Sequence, residues 1–194
     1  MSKPLLTFVA LVASAGLALA DGDPDMQGPP TKAPVRSGLT ATMAVGPGEL
    51  HIVPDSGSES RTEGAGFSLR VGTTLSPTST FELMVDFVDG SGTRSTVAGA
   101  ALKFYPADPV YVRLGGGLGV LSTAGAADPM DPTAGGGTSR HGGVAALLAA
   151  GYEWLQLRDI ALFGELEVTG NRLTAENAKT SIVNAQLMFG ITWY

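Results

Sequence analysis

Eight charged residues interrupt segments that are otherwise apolar at every second position. They are the cations Arg70, Lys103 and Arg113 and the carboxylates Glu82, Asp86, Glu153, Glu165 and Glu167. Buried charges persist only when they are paired and hydrogen-bonded. Set on one inward face, these residues would form a ladder of internal ion pairs. Such a ladder can serve as a narrow ion path or as a polar plug that fixes register, and the plug is the expected outcome.

Other chemistry is thinly represented. His51 and His141, with Asp, Glu and Ser nearby, fall in segments read as external loops, where a histidine could act as general base for a hydrolase at the outer rim. No G-x-S-x-G elbow accompanies them, and two distant histidines without a third spaced ligand make no metal site. Gly115-Gly116-Gly117-Leu118-Gly119 does not match G-x-G-x-x-G and opens no helix, so it indicates no phosphate-bearing cofactor. No catalytic residue, metal or cofactor is assigned. The absence of Cys removes thiolate zinc sites, thiol nucleophiles and disulfides. With 12 Lys+Arg against 18 Asp+Glu, the net charge of -6 argues against a nucleic-acid partner.

The elements that must position the charges follow from periodicity. Mean hydropathy is +0.19, yet beyond the first 20 residues no apolar run approaches the roughly 18 residues of a spanning helix. From Ser37 onward the chain divides into eight segments, each alternating at a period of two. Phe81, Leu83, Val85 and Phe87, for example, oppose Glu82, Met84 and Asp86, and Leu187, Phe189, Ile191 and Trp193 oppose Gln186, Gly190 and Thr192. The face opposite the large apolar residues is rich in Gly, Ala, Ser and Thr and carries charges of both signs, which suits a narrow polar interior. Connections around Ser76-Pro77, Ala107-Asp108 and Leu157-Arg158 read as tight, whereas Pro47 to Gly64, Asp89 to Arg94, Ser122 to Gly142 and Gly170 to Lys179 read as mostly longer. Alternating short and long connections are the habit of outer-membrane barrels. The predicted fold is all-β, an eight-stranded antiparallel up-and-down transmembrane β-barrel.

Residues 1 to 20 read as a cleaved secretory signal, with Lys3, an apolar centre from Leu5 to Leu17, and Ala18-Leu19-Ala20 as the cleavage site. Residues 21 to 36, with four prolines, read as a flexible extension, and residues 37 to 194 as the barrel domain.

Several stretches resemble the OmpA-like and OmpX-like small outer-membrane barrel proteins: Tyr111-Val112-Arg113-Leu114-Gly115, Gly151-Tyr152-Glu153-Trp154, Phe163-Gly164-Glu165-Leu166-Glu167 and the aromatic terminus Gly190-Ile191-Thr192-Trp193-Tyr194. That family usually ends in Phe with another aromatic two positions earlier, whereas this chain has Tyr194 last and Thr192 two before it. The resemblance implies a location in the cell outer membrane, with outer-membrane lipid and the barrel-assembly machinery as partners. The partner of the external loops is unassigned. Tyr105, Tyr152, Trp154, Trp193 and Tyr194 fall near the periplasmic strand ends and are expected at the membrane interface. The expected role is non-enzymatic, structural or in surface interaction. The competing readings are a lipid-A-modifying barrel enzyme and a soluble exported binding barrel.

Overall fold

Alternation at a period of two is what a strand with one buried face requires. The segments that carry it are strands in the computed structural model, which describes residues 36–55, 58–124, 139–157, 159–175 and 178–194. In chain order they are β1 Leu39–Pro54, β2 Ser60–Ser76, β3 Ser79–Gly90, β4 Thr93–Ala107, β5 Val110–Thr123, β6 Ser139–Gln156, β7 Ile160–Ala175 and β8 Ala178–Trp193. Each pairs antiparallel with the next, and β1 closes on β8 with Ala41 opposite Trp193. Closure leaves no sheet edge unpaired. The segment read as a signal, residues 21–35 of the extension and residues 125–138 of the expected connection Ser122 to Gly142 lie outside the described residues.

The large apolar side chains point out. Leu39, Leu118 and Val144 are 82%, 67% and 65% exposed, whereas Thr40, Glu82, Arg113 and Glu165 on the alternate positions are buried. A water-soluble barrel has the opposite arrangement, so this one is a transmembrane barrel coated for lipid. The outward run from Val183 to Trp193 has the length a tilted spanning strand needs, about 9 to 11 residues.

The strands extend further than the connections suggested. β1 and β2 occupy most of the expected loop Pro47 to Gly64, and β7 and β8 most of Gly170 to Lys179. Asp89 to Arg94 is a tight hairpin in which Ser91 and Gly92 both take positive φ, 39° and 79°, as a two-residue hairpin turn demands. The physical reason is an exchange of core and coat. At the end of the barrel away from the termini, Leu50, Ile52, Val88, Leu121, Leu173 and Ile182 turn inward and form one buried cluster. Arg61, Glu63, Asp89, Arg94 and Arg172 face out and are exposed. This distal part is constructed like a soluble barrel on top of a membrane one. Each of its buried aliphatic side chains stabilises it by roughly 1.5–3 kcal/mol.

Candidate functional site: a filled lumen

An eight-stranded barrel is just wide enough for its own side chains. Small inward residues therefore make room for large inward neighbours. Gly151 shows the fit: a Cβ there would lie 2.3 Å from Cζ of Tyr111. Below the distal apolar cluster, Asn184 Nδ2 donates to Thr169 Oγ1 at 2.8 Å and to Ser95 Oγ at 3.0 Å, joining β8, β7 and β4. Gln186 Nε2 donates to Glu167 Oε1 at 3.1 Å, linking this neutral layer to the charges beneath.

The central layer is a lattice of ions. Arg70 Nη2 lies 2.6 Å from Glu165 Oε1 and 3.5 Å from Glu167 Oε2. Arg113 Nη2 lies 2.9 Å from the same Glu165 oxygen and also pairs with Glu167. Its other terminal nitrogen stands 4.0 Å from Glu82. Ser68 donates to Asp86 and accepts from Arg70 Nε at 2.8 Å. All of these charged side chains are buried, so the two guanidiniums neutralise carboxylates that water cannot reach. The arrangement ties β2, β5 and β7 together across the interior.

Toward the termini the lattice gives way to aromatic rings. Tyr111 and Phe163 sit edge to face with centroids 6.1 Å apart, and Lys103 Nζ lies 3.9 Å from the Tyr111 centroid. Lys103 also reaches Glu153 Oε1 at 3.0 Å. Glu153 is the hub of the terminal mouth. Its Oε1 accepts from the hydroxyls of Tyr105 and Tyr194, each at 2.6 Å, and its Oε2 from Arg36 at 3.1 Å.

Arg36, the last residue of the expected extension, packs into this mouth. Its Nη2 lies 2.5 Å from Asp108, its guanidinium carbon sits 3.6 Å over the Tyr105 ring, and the residue is buried. Burial works against its charge, but Asp108, Tyr105 and Glu153 more than offset that, holding its pKa above the ordinary arginine value. Burial, and Glu153 beside it, also push the Tyr194 hydroxyl up, which keeps it a donor.

Thus all eight charged residues singled out from the sequence line the interior, in two groups. Arg70, Glu82, Asp86, Arg113, Glu165 and Glu167 form the central lattice, while Lys103 and Glu153 belong to the mouth. The aromatic set divides. Tyr152, Trp154 and Trp193 are exposed on the outer wall near the terminal end, and Trp154 meets Phe189 at 6.1 Å. Tyr105 and Tyr194 are instead lumen residues bonded to Glu153 and to each other at 2.8 Å. Tyr105 alternates with outward Phe104 and so had to point in; Tyr194 follows outward Trp193. Arg36, Asp108, Tyr111 and Phe163 complete the mouth. Tyr111 and Phe163 were legible from alternation with Val112 and Leu162, whereas Arg36 precedes the first strand and has no periodic signal.

The histidines are on strands and not in loops. His51 on β1 lies 3.1 Å from Glu59 at the exposed distal end, and His141 is on β6 opposite Leu121. β7 and β8 lie between their strands. Among the described residues no group of three or more His, Asp or Glu side chains is placed to hold a metal.

Solved structures share this architecture. Neisserial surface protein A superposes with a TM-score of 0.58 at 14% identity, over 81% of this chain and 97% of that one. The fold is that of a small outer-membrane barrel. Ail, the attachment invasion locus protein of Yersinia pestis, superposes at 0.50 with 10% identity over 81% of this chain and 99% of its own. No protein-family model matches the sequence. No curated protein matches it either.

Proposed function

We propose that this chain is an integral outer-membrane barrel that does not conduct and that works through its outside. The observation that carries the reading is the continuity of the filling: apolar cluster, amide layer, ion lattice, aromatic layer and the Arg36 mouth follow one another along the interior. An ion would have to break several charge-assisted bonds at once to pass. The terminal end faces the periplasm, lipid surrounds the apolar wall, and the barrel-assembly machinery inserts the chain. The distal part, with its polar coat, stands above the bilayer as a rigid platform for envelope structure or surface interaction. Two proteins of this fold are named for the cell surface and for attachment, in keeping with such a role.

Two measurements test this. Purified barrel in planar bilayers is expected to show no steady conductance, and large stable openings would overturn the plug. Cell fractionation is expected to recover the protein with outer membranes in heat-modifiable form, and recovery in the soluble periplasm would overturn the location.

A further inference from the structure

Three adjacent strands leave the apolar wall in the same order. Toward the distal end the outward positions run Val144, Gly142, Arg140 on β6, then Val168, Gly170, Arg172 on β7, and Val183, Ser181, Lys179 on β8. Each strand thus presents an apolar edge, then a small residue, then a cation. The other side of the collar differs, because Arg61 is paired with Glu49 and Arg94 with Asp89. On the β6 to β8 arc Arg172 is held by Asp55 at 2.8 Å and by Ser181 at 2.6 Å, while Arg140 and Lys179 have no acidic partner among the described residues.

Register brings two of the cations together. Arg172 is opposite Ser181, and Lys179 is opposite Thr174, so Arg172 and Lys179 are diagonal neighbours on one outward face, about 7–8 Å apart at the backbone. Their long side chains can converge on one anion. The small residues beneath are not demanded by packing. A Cβ on Gly170 would meet nothing within 4 Å and one on Gly142 nothing nearer than 4.0 Å, whereas on inward Gly143 it would strike Arg172 O at 1.9 Å. Gly142 and Gly170 therefore leave a shelf between the apolar edge and the cations. From that shelf Gly170, Ala146, Gly116 and Ala100 lie opposite one another across β7, β6, β5 and β4, a shallow trough in the lipid-facing wall.

We propose that this arc binds a phosphorylated lipid of the surrounding leaflet. Arg172 and Lys179 take a headgroup phosphate, Arg140 takes a second anionic group, and an acyl chain lies in the trough below. Guanidinium and ammonium donors make their strongest hydrogen bonds to such oxygens, and cations at this depth keep their stems against apolar surface and their heads in the headgroup region. The assignment rests on the proposed membrane orientation, which puts the collar at the outer headgroup level.

The test uses the full chain refolded as a closed barrel, in micelles doped with bisphosphorylated lipid A or its dephosphorylated form, read by native mass spectrometry. Wild type is expected to retain the phosphorylated lipid about tenfold or more over the dephosphorylated one. The R140Q/R172Q/K179Q variant should lose that preference and R61Q/R94Q should keep it. Because Arg172 also braces Asp55, R140Q/K179Q serves as a second variant that leaves the brace intact, and it should lose most of the preference. Equal retention of both lipids, a preference that survives in R140Q/K179Q, or full displacement by inorganic phosphate would each overturn the proposal. A folded wild-type barrel without lipid preference removes this inference and leaves the membrane assignment standing; soluble fractionation does the reverse.

Discussion

Arg70 Nη2 and Glu165 Oε1 stand 2.6 Å apart, although their strands, β2 and β7, are separated by β8 and β1. The pair spans the lumen, and through Glu165 it is joined to Arg113 on β5. A buried pair of this kind adds little over a well-packed apolar substitute, but removing one partner strands a charge in a dry interior, at about 3–5 kcal/mol.

Arg113→Leu is therefore expected to lower the stability of the folded barrel by about 3–5 kcal/mol, seen as a lower urea midpoint in detergent or lipid. Combining it with Glu167→Gln should recover part of the loss, because the orphaned carboxylate disappears. Additive losses in the double variant would count against the cross-barrel lattice.

The distal apolar cluster makes a contrasting prediction. Leu50→Ala removes a fully buried side chain and should cost about 2–5 kcal/mol. Leu118→Ala, on the outer wall, should change the urea midpoint far less in detergent, where the surrounding chains refill the space. Equal losses would contradict the placement of Leu50 inside.

Arg36 gives a prediction readable by protease. Trypsin should cut slowly after Arg36 in the folded barrel, and Asp108→Asn with Glu153→Gln should speed cleavage by removing both partners. Because the Tyr194 hydroxyl is pushed up, the unfolded chain ionises it first, so stability from this group is complete at neutral pH and falls above about pH 10, where a free tyrosine titrates. Protection should accordingly be flat from about pH 6 to 9 and weaken beyond. A loss of protection near neutrality would show that the mouth is held by something else.

Glycines on the two faces should differ. A Cβ on Gly117 would lie 2.1 Å from Ala98 O, whereas one on Gly170 would meet nothing within 4 Å. Gly117→Ala should therefore destabilise by about 1–3 kcal/mol while Gly170→Ala stays close to wild type, as measured by the temperature at which the barrel loses its compact gel mobility.

The spanning half was legible because one rule governs it: every strand alternates, and Glu82, Arg113 or Glu165 appears on the face turned away from the lipid that would reject it. The distal half was hidden because Pro47, Gly48 and Gly64 resemble loop punctuation, and because Leu50 and Ile52 fall on the face that lower down is polar. Tyr105 and Tyr194 have the depth of interface aromatics but lie on the inner side of the wall, and depth along a strand does not fix side. The partners of Arg36 come from the β4–β5 turn and from β6, and no local pattern announces contacts of such separation.

The exchange of core and coat has a further consequence as a depth gauge. In β1 the outward aliphatic residues Met43 and Val45 sit at odd positions and the inward Leu50 and Ile52 at even ones; in β5 the outward Leu118 and Val120 are even and the inward Leu121 odd; in β8 the inward Ile182 is even and the outward Val183 odd. On the proposed membrane orientation, the point at which parity flips is where hydrocarbon ends. Moving that flip by two residues along all strands would retune the barrel to a bilayer several Å thicker or thinner without altering a single backbone hydrogen bond, so the thickness of the host membrane is written into the chain as a change of parity.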